Sequence, residues 1–316
     1  MNKKVTLSEE NAAHAGECSR RSFLKLFGVG SGAMALLSAD PARAAEVVGR
    51  FRSEEQAMGV LVDTTLCVGC RSCETACNET NGLPKPKVPF EDDDSLFEQH
   101  RDTSPNAFTV VNKYTLDEGV EITRKQQCML CLEPACSSAC IIRAMEKQSN
   151  GAVTYRSDLC LGCRYCMVAC PFDVPKFEYS KASPLIRKCT FCFARQEQGE
   201  QPGCVEACPQ EALKFGKRSD LIEEAGKRIA GSPEAYVHHI YGQHEAGGTS
   251  WLYLAAARFE KLGLPELGQK EYPELTSGAM GTVPAVLLIW PALLAGFRHF
   301  SHRKQEAHDE RSGRHV

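Results

Sequence analysis

The stretch Cys160-Leu-Gly-Cys163-Arg-Tyr-Cys166-Met-Val-Ala-Cys170-Pro171 places four cysteines close together and follows the last of them with proline. Its spacing, C-x2-C-x2-C-x3-C-P, is typical of loops that bind [4Fe-4S] clusters, in which each iron atom takes one thiolate. Three cysteines of such a loop bind one cluster. The fourth begins a segment that turns away, and it binds a second cluster. One run therefore predicts a partner run elsewhere in the chain.

Three further runs of four cysteines lie at 67–77, 128–140 and 189–208. The chain has seventeen cysteines, and setting aside Cys18 leaves sixteen, which is four runs of four. Runs two and three are close neighbours and runs one and four flank them, so the simplest pseudo-repeat pairs one with four and two with three. Each run then gives three cysteines to one cluster and its fourth to the cluster of the partner run, which we call three-plus-one pairing. The predicted ligand sets are Cys67, Cys70, Cys73 with Cys208; Cys189, Cys192, Cys204 with Cys77; Cys128, Cys131, Cys136 with Cys170; and Cys160, Cys163, Cys166 with Cys140.

Zinc and disulfides are the alternative uses of these cysteines. Structural zinc also takes Cys-x2-Cys pairs, and two such pairs suffice for one site. Zinc sites rarely place four cysteines within eleven residues, as this chain does at 160–170. Disulfides occur in exported proteins, yet cysteines three residues apart are poorly placed to bridge each other. The pattern favours four [4Fe-4S] clusters. Because such clusters replace much of a hydrophobic core, we expect folding to depend on metal.

Local patterns around the runs predict short strands and one amphipathic helix. Strands are predicted at 60–63, 108–111, 120–123 and 151–155, and a helix at 219–230. Gly69 and Gly162 lie inside cysteine loops, where we expect the backbone to approach a cluster closely. Arg164, Arg187 and Lys188 lie beside ligands; they either raise cluster potentials or serve as ordinary surface residues.

The amino-terminal segment resembles an export signal. Ser19-Arg20-Arg21-Ser22-Phe23-Leu24-Lys25 matches the twin-arginine pattern. A Gly- and Ala-rich stretch follows, and Ala42-Arg43-Ala44 provides an A-x-A cleavage site before Ala45. The twin-arginine route exports folded proteins, which suits a chain that receives its clusters in the cytoplasm. Cys18 is then removed with the signal.

The carboxyl-terminal segment predicts a membrane anchor. Residues 275–297 contain no charged side chain and are long enough to span a bilayer, although a buried helix is the alternative. Arg298, Arg303 and Lys304 follow, and the positive-inside rule places them in the cytoplasm. We therefore expect the body on the periplasmic side of the inner membrane, held by a single carboxyl-terminal helix.

Together these features predict an α+β protein with loop-rich tandem ferredoxin-like modules around four clusters and a carboxyl-terminal transmembrane helix. The formal net charge of −3 excludes a polycationic surface for nucleic acid. The expected organisation is a signal at 1–44, a first module at 45–118 and 183–230, a second module at 119–182, a linker or extension at 231–274, the transmembrane helix at 275–297 and a cytoplasmic tail at 298–316.

Four runs in this order resemble the four-cluster electron-transfer subunits of the molybdopterin oxidoreductase family. More specifically, the chain is similar to the membrane-tethered ferredoxin-like subunit of hydrogenase-2-type uptake hydrogenases. The resemblance rests on the segments 66–70, 160–176, 202–209 and 241–249, which read LCVGC, CLGCRYCMVACPFDVPK, PGCVEACP and YGQHEAGGT. It covers nearly all of the chain. Ile141 departs from it, because relatives place proline after the corresponding cysteine.

The resemblance implies a non-catalytic subunit that carries electrons between a periplasmic nickel–iron hydrogenase, with its catalytic and small subunits, and an integral-membrane subunit that reacts with quinone. Within the same class, the alternative is the iron–sulfur subunit of a formate dehydrogenase or of a sulfur-compound reductase. From another class, a redox sensor or a cluster-assembly protein would also bind clusters. All sixteen thiolates are used by four closed clusters, however, and a sensor needs only one labile cluster.

Overall fold

The computed structural model describes residues 57–313, without the side chains at 118, 276–285, 307 and 309–312. The predicted export signal at 1–44 lies outside the described residues. The description below concerns the unit Ser53–Val316.

A three-stranded sheet brings together distant parts of the chain. Its strands are β1 (Met58–Asp63), β8 (Leu213–Lys217) and β9 (Trp251–Leu254), in the order β8-β1-β9. β1 pairs antiparallel with β8 and parallel with β9. All six residues of β1 are wholly or partly buried, which suits a central strand with both neighbours present.

Three antiparallel hairpins provide the remaining strands. They are formed by β2 (Val110–Thr115) with β3 (Glu121–Gln126), β4 (Met145–Lys147) with β5 (Val153–Tyr155), and β6 (Lys176–Phe177) with β7 (Ile186–Arg187). The strands predicted at 60–63, 108–111, 120–123 and 151–155 are confirmed, with boundaries shifted by up to four residues. The boundary drawn at 118 between the two modules divides the β2–β3 hairpin. Because backbone hydrogen bonds join its strands, the hairpin is one structural element.

The segment 231–274 was predicted as a linker or extension, and the structure places part of the central sheet in it. It contributes β9, whose four residues are entirely buried. The strand hydrogen-bonds to β1, and the Thr64 hydroxyl donates to the Leu254 carbonyl over 3.0 Å. This segment is therefore part of the core, because its apolar side chains complete the central sheet.

Short helices begin inside the cysteine loops, and two longer ones follow. They are α1 (Ser72–Thr80), α2 (Ala135–Ser138), α3 (Tyr165–Val168), α4 (Phe193–Glu197), α5 (Gly203–Glu206), α6 (Arg218–Gly231) and α7 (Tyr272–Ser312). α6 confirms the helix predicted at 219–230. Its buried Leu221 and Ala225 pack with Leu61 and Leu252 of the sheet, so the helix covers one face of the sheet.

The helix predicted at 275–297 is present within α7, but the prediction that it crosses a membrane is not supported. Across the residues whose side chains the structure describes, no helix is both long enough and apolar enough for a membrane span. The predicted span includes residues 276–285, whose side chains are outside the description. From 286 to 300 the large apolar side chains are exposed, Ile289 and Trp290 among them.

Candidate metal centre

The first and third cysteine runs have the same backbone conformation. In run one, Gly69 has φ +72° and Arg71 has φ +61°; in run three, Gly162 has φ +69° and Arg164 has φ +61°. α1 and α3 begin directly after these arginines. The matched left-handed residues lead the chain into the helix that carries the third cysteine, Cys73 or Cys166. α1 also contains Cys77, whereas Cys170 lies two residues beyond the end of α3.

Positive φ explains both glycines more directly than the expected close approach to a cluster. A Cβ on Gly69 would also lie 2.9 Å from the Thr123 side chain, whereas a Cβ on Gly162 would lie no closer than 3.8 Å to its nearest neighbour, Phe177. Backbone conformation is therefore common to the two positions, and crowding by protein atoms applies only to Gly69.

The structure places three cysteines of each run beside the fourth cysteine of its partner run. Three of the groups line separate cavities, and in the fourth the charges of Cys140, Cys160 and Cys163 act on Cys166. We name the groups site A (Cys67, Cys70, Cys73, Cys208), site B (Cys77, Cys189, Cys192, Cys204), site C (Cys128, Cys131, Cys136, Cys170) and site D (Cys140, Cys160, Cys163, Cys166).

The four sites follow one another in a row. Cys73 of site A is close enough to Cys204 of site B for the charge of Cys204 to act on it. Cys189 of site B is similarly near Cys128 of site C, and Cys136 of site C is near Cys166 of site D. The order A-B-C-D therefore connects the paired runs one and four to the paired runs two and three.

Both ends of the row reach the molecular surface. At site D, Cys163 is exposed, and its neighbours Leu161 and Val168 are 76% and 81% exposed. At site A, Val68 is 63% exposed. Each terminal site therefore offers an apolar surface on which another protein can approach the thiolates closely.

Burial and the charge of neighbouring cysteines raise the pKa of several of these thiols. Burial, followed by the charge of neighbouring cysteines, raises the pKa of Cys166 to about 11. Burial is also the main reason that the pKa of Cys136 and that of Cys189 rise to about 12. Metal ligation requires thiolates, so binding of iron at these sites releases protons.

Backbone amides already point at several ligand sulfurs. Gly162 N donates to Cys160 Sγ over 3.4 Å, and Phe191 N donates to Cys189 Sγ over the same distance. Ala144 N donates to Cys140 Sγ over 3.1 Å. Hydrogen bonds of this kind stabilise thiolate ligands and are one of the factors that set cluster potentials.

Buried cationic side chains surround the sulfurs, and most were not predicted. Lys125, Lys147, Lys188 and Arg71 are each buried or largely buried around the sites. Arg71 lines the cavity of site A, and its Nη1 is buried with no hydrogen-bond partner in the described part of the chain. An unpartnered guanidinium nitrogen beside four thiols fits an anionic group in the cavity. Of these residues, only Lys188 was singled out from the sequence. Lys125 has no sequence signal because it lies beyond the strand predicted at 120–123, in the polar run at 123–127.

The other two basic residues that flank ligands lie nearer the surface. Arg164 stacks over Phe177 and Tyr179, and Arg187 donates from Nε to Glu178 over 3.0 Å.

The donors fit clusters better than single ions or disulfides. The cysteines of all four runs are free thiols, which contradicts the disulfide alternative. Within residues 57–313, no three cysteine, histidine or acidic side chains are grouped closely enough to hold one metal ion. Zinc ligands converge on one atom at about 2.3 Å, whereas these thiols are spread around the walls of larger cavities. The fold and these sites define a ferredoxin-like iron–sulfur protein.

Comparison with known proteins agrees with this class. The family model described as "4Fe-4S dicluster domain" matches residues 121–218. A protein of Nitratidesulfovibrio vulgaris is 50% identical over 292 residues, covering 91% of this chain and 78% of that protein. The hydrogenase-2 operon protein HybA of Escherichia coli O157:H7 is 34% identical over 80% of this chain and 87% of its own length. The iron–sulfur subunit of the nitrate-inducible formate dehydrogenase of Escherichia coli K12 is 31% identical over 65% and 70%.

The chain therefore belongs to the family of iron–sulfur subunits of oxidoreductase complexes that includes HybA and the formate dehydrogenase iron–sulfur subunits.

Proposed function

We propose that this protein is an electron-transfer subunit that conducts electrons through its body between two redox partners. The observation that carries the proposal is the row of sites A to D, which begins and ends at the surface. When bound, each [4Fe-4S] cluster accepts and releases one electron. The chain itself supplies thiolate ligands, amide donors and buried cations.

We propose that each site holds one cluster, four in all, through the sixteen cysteines grouped above. Two observations support this assignment: every run contributes three cysteines to one site and its fourth to the site of its partner run, and cationic groups lie where anionic clusters would need compensation. The chain then has no open metal position for substrate, and we assign catalysis to another subunit.

We propose two redox partners for this protein. One is a nickel–iron hydrogenase, and the other is a membrane subunit that reacts with quinone. The similarity to HybA, whose name refers to hydrogenase-2, supports this choice over the alternative. The alternative partner is a molybdopterin enzyme, either a formate dehydrogenase or a sulfur-compound reductase. The similarity to formate dehydrogenase subunits supports this alternative.

The test deletes the gene for this subunit and measures two activities in membranes. We expect hydrogen oxidation with a soluble artificial dye to remain largely intact, and hydrogen-dependent reduction of the quinone pool to be lost. If both fell while the hydrogenase stayed abundant, the subunit would belong to catalysis or assembly. If formate- or sulfur-compound-linked respiration failed instead, the partner would be a molybdopterin enzyme.

We also propose twin-arginine export to the periplasmic side of the inner membrane, which rests on the Arg20-Arg21 pattern. Replacing both arginines with lysine should leave folded, cluster-loaded protein in the cytoplasm. In the same strain background, truncation before residue 275 tests how the body is attached. Release into the periplasm would assign attachment to α7, whereas retention only while the partners are present would assign it to them.

A further inference from the structure

Lys125 occupies a position common to two cluster sites. It lies on β3 and lines both the cavity of site A and the cavity of site B. The charges of Cys73 of site A and of Cys77, Cys189 and Cys204 of site B all act on it. A single side chain therefore faces the thiols of both sites.

The Lys125 ammonium is buried without a carboxylate partner. The residue is 2% exposed. Its Nζ donates to Thr109 Oγ1 over 2.6 Å and to Gln127 Oε1 over 3.1 Å, and it lies 4.5 Å from the centre of the Trp251 ring. In the part of the chain that the structure describes, no acidic side chain forms an ion pair with it. A buried charge held only by neutral groups is unfavourable unless an opposite charge lies nearby.

Thiolate ligands and their clusters would provide that opposite charge at both sites, because Lys125 lines the two cavities that they would fill.

The other two buried lysines, Lys147 and Lys188, have different hydrogen-bond partners from Lys125. Lys147 Nζ donates to the carbonyls of Leu130, Cys131 and Gly151, over 3.3, 2.7 and 2.9 Å, and it lies beside site C. Lys188 Nζ donates to the carbonyls of Val153 and Cys189. Each of these two is anchored by backbone oxygens, whereas the Lys125 ammonium rests on side chains at the wall shared by two cavities.

We propose that Lys125 is a positioning residue for electron transfer, which raises the reduction potentials of the clusters at sites A and B together. The inference rests on the proposed function, since it requires clusters at both sites. An added electron makes a cluster more negative, and a fixed cation in a poorly screened interior stabilises that reduced form at every cluster near it. One shared charge therefore shifts both potentials in the same direction.

The experiment is a redox titration, followed by electron paramagnetic resonance, of the anaerobically purified full chain and its Lys125→Met variant. We expect two of the four midpoint potentials to fall and the other two to stay. At a fixed ambient potential, the ratio of reduced to oxidised cluster should fall about tenfold at those two, which is about 59 mV for a one-electron couple. Lys125→Arg, which keeps the charge, should restore both potentials.

Lys113→Met is the matched control. Lys113 lies on β2 of the same hairpin, pairs with Glu121 over 3.1 Å and is largely exposed, so its loss should move no potential. The proposal is overturned if Lys125→Met moves no potential, only one, or all four. It is also overturned if Lys125→Arg shifts the potentials as far as Lys125→Met does, because the role would then be packing.

If Lys125→Met binds too little iron for the titration, a second neutral variant that retains hydrogen bonding is used in its place. Lys125→Gln can still donate to Thr109 or Gln127, and it should show the same paired fall in potential. Iron analysis of the unaltered protein distinguishes failure of the proposed role of Lys125 from failure of the proposed clusters. Full iron loading with unchanged Lys125→Gln potentials refutes the role of Lys125 alone, whereas absence of iron in the unaltered protein refutes the clusters themselves.

Discussion

Cys170 shows how the fourth cysteine of a run serves the neighbouring site. It follows the three thiols of site D in sequence, yet it lines the cavity of site C with Cys128 and Cys136. We expect Cys170→Ser to remove or convert the cluster at site C and to leave site D intact. Because a complete cube holds four irons, complete loss of one cluster would lower the iron content from about sixteen to about twelve.

The measurement for Cys170→Ser is iron analysis with paramagnetic resonance of each variant. Cys166→Ser supplies the comparison, since Cys166 belongs to site D and its loss should change a different set of signals. Identical spectra for the two variants would contradict the crossed ligand sets.

Glu178 makes the β6–β7 hairpin sensitive to pH. The carboxylate is buried and accepts hydrogen bonds from Lys181 Nζ over 2.7 Å, Arg187 Nε over 3.0 Å and Leu185 N over 3.2 Å. Burial alone would raise the pKa of Glu178, but these hydrogen bonds and the nearby positive charges lower it below its ordinary value. A lowered pKa means that the ionised form stabilises the hairpin above the unfolded-state pKa of about 4.3, and that this stability is lost as pH falls through the folded-state pKa.

We therefore expect Glu178→Gln to weaken the hairpin at neutral pH by about 2 kcal/mol, the usual contribution of charged hydrogen bonds. Hydrogen exchange of residues 176–187 measures this loss. The variant should also lose the dependence of local protection on pH between about 5 and 3. Glu146→Gln, at an exposed position of the β4–β5 hairpin, is the control and should behave like the unaltered protein. Equal protection in Glu178→Gln and the control at neutral pH would refute the role of Glu178.

At the scale of elements, α1 and α5 join runs one and four by close packing. A Cβ added to Gly203 of α5 would lie 2.5 Å from Thr80 Oγ1 of α1. We expect Gly203→Ala to destabilise the protein by about 1–3 kcal/mol, as overpacking does, and to reduce loading at sites A and B. Thermal unfolding and iron content measure the two effects.

A second substitution tests this explanation for Gly203. Thr80→Ala removes the opposing hydroxyl, so the double variant should recover most of the lost stability. Gly216→Ala is the control, because its added Cβ would meet only Leu221 atoms at 3.7 Å or more. Lack of recovery in the double variant would show that the close contact is not the cause.

The sequence predicts the elements next to the cysteines better than those that complete the sheet. Spacing within the runs indicated the loops, whereas the crossed grouping of the sixteen thiols rested on pairing run one with run four and run two with run three. β9 was missed because Trp251-Leu-Tyr-Leu254 is a short apolar run without alternation, which does not distinguish a buried strand from other buried structure. Lys125 was missed because it lies in the polar run at 123–127, which gives no indication that two cavities will enclose its charged side chain.

For the whole molecule, the grouping of thiols predicts its metal content. Anaerobically purified, fully loaded protein should contain about sixteen irons, four for each of four clusters. Iron and zinc analysis by mass spectrometry measures this, with acid-labile sulfide in equal amount. About four irons or fewer together with stoichiometric zinc would contradict the assignment of the sites.

The position of β1 also sets the timing of folding. This strand is among the first described segments to be synthesised, yet its neighbours β8 and β9 come from much later in the chain, and the Thr64–Leu254 hydrogen bond spans 190 residues. Contacts of such high order form slowly, because a long loop must close before they stabilise anything. On the ribosome, β1 therefore remains an unpaired apolar edge until nearly all of the ordered body has emerged, and in that interval it is open to aggregation or chaperone binding.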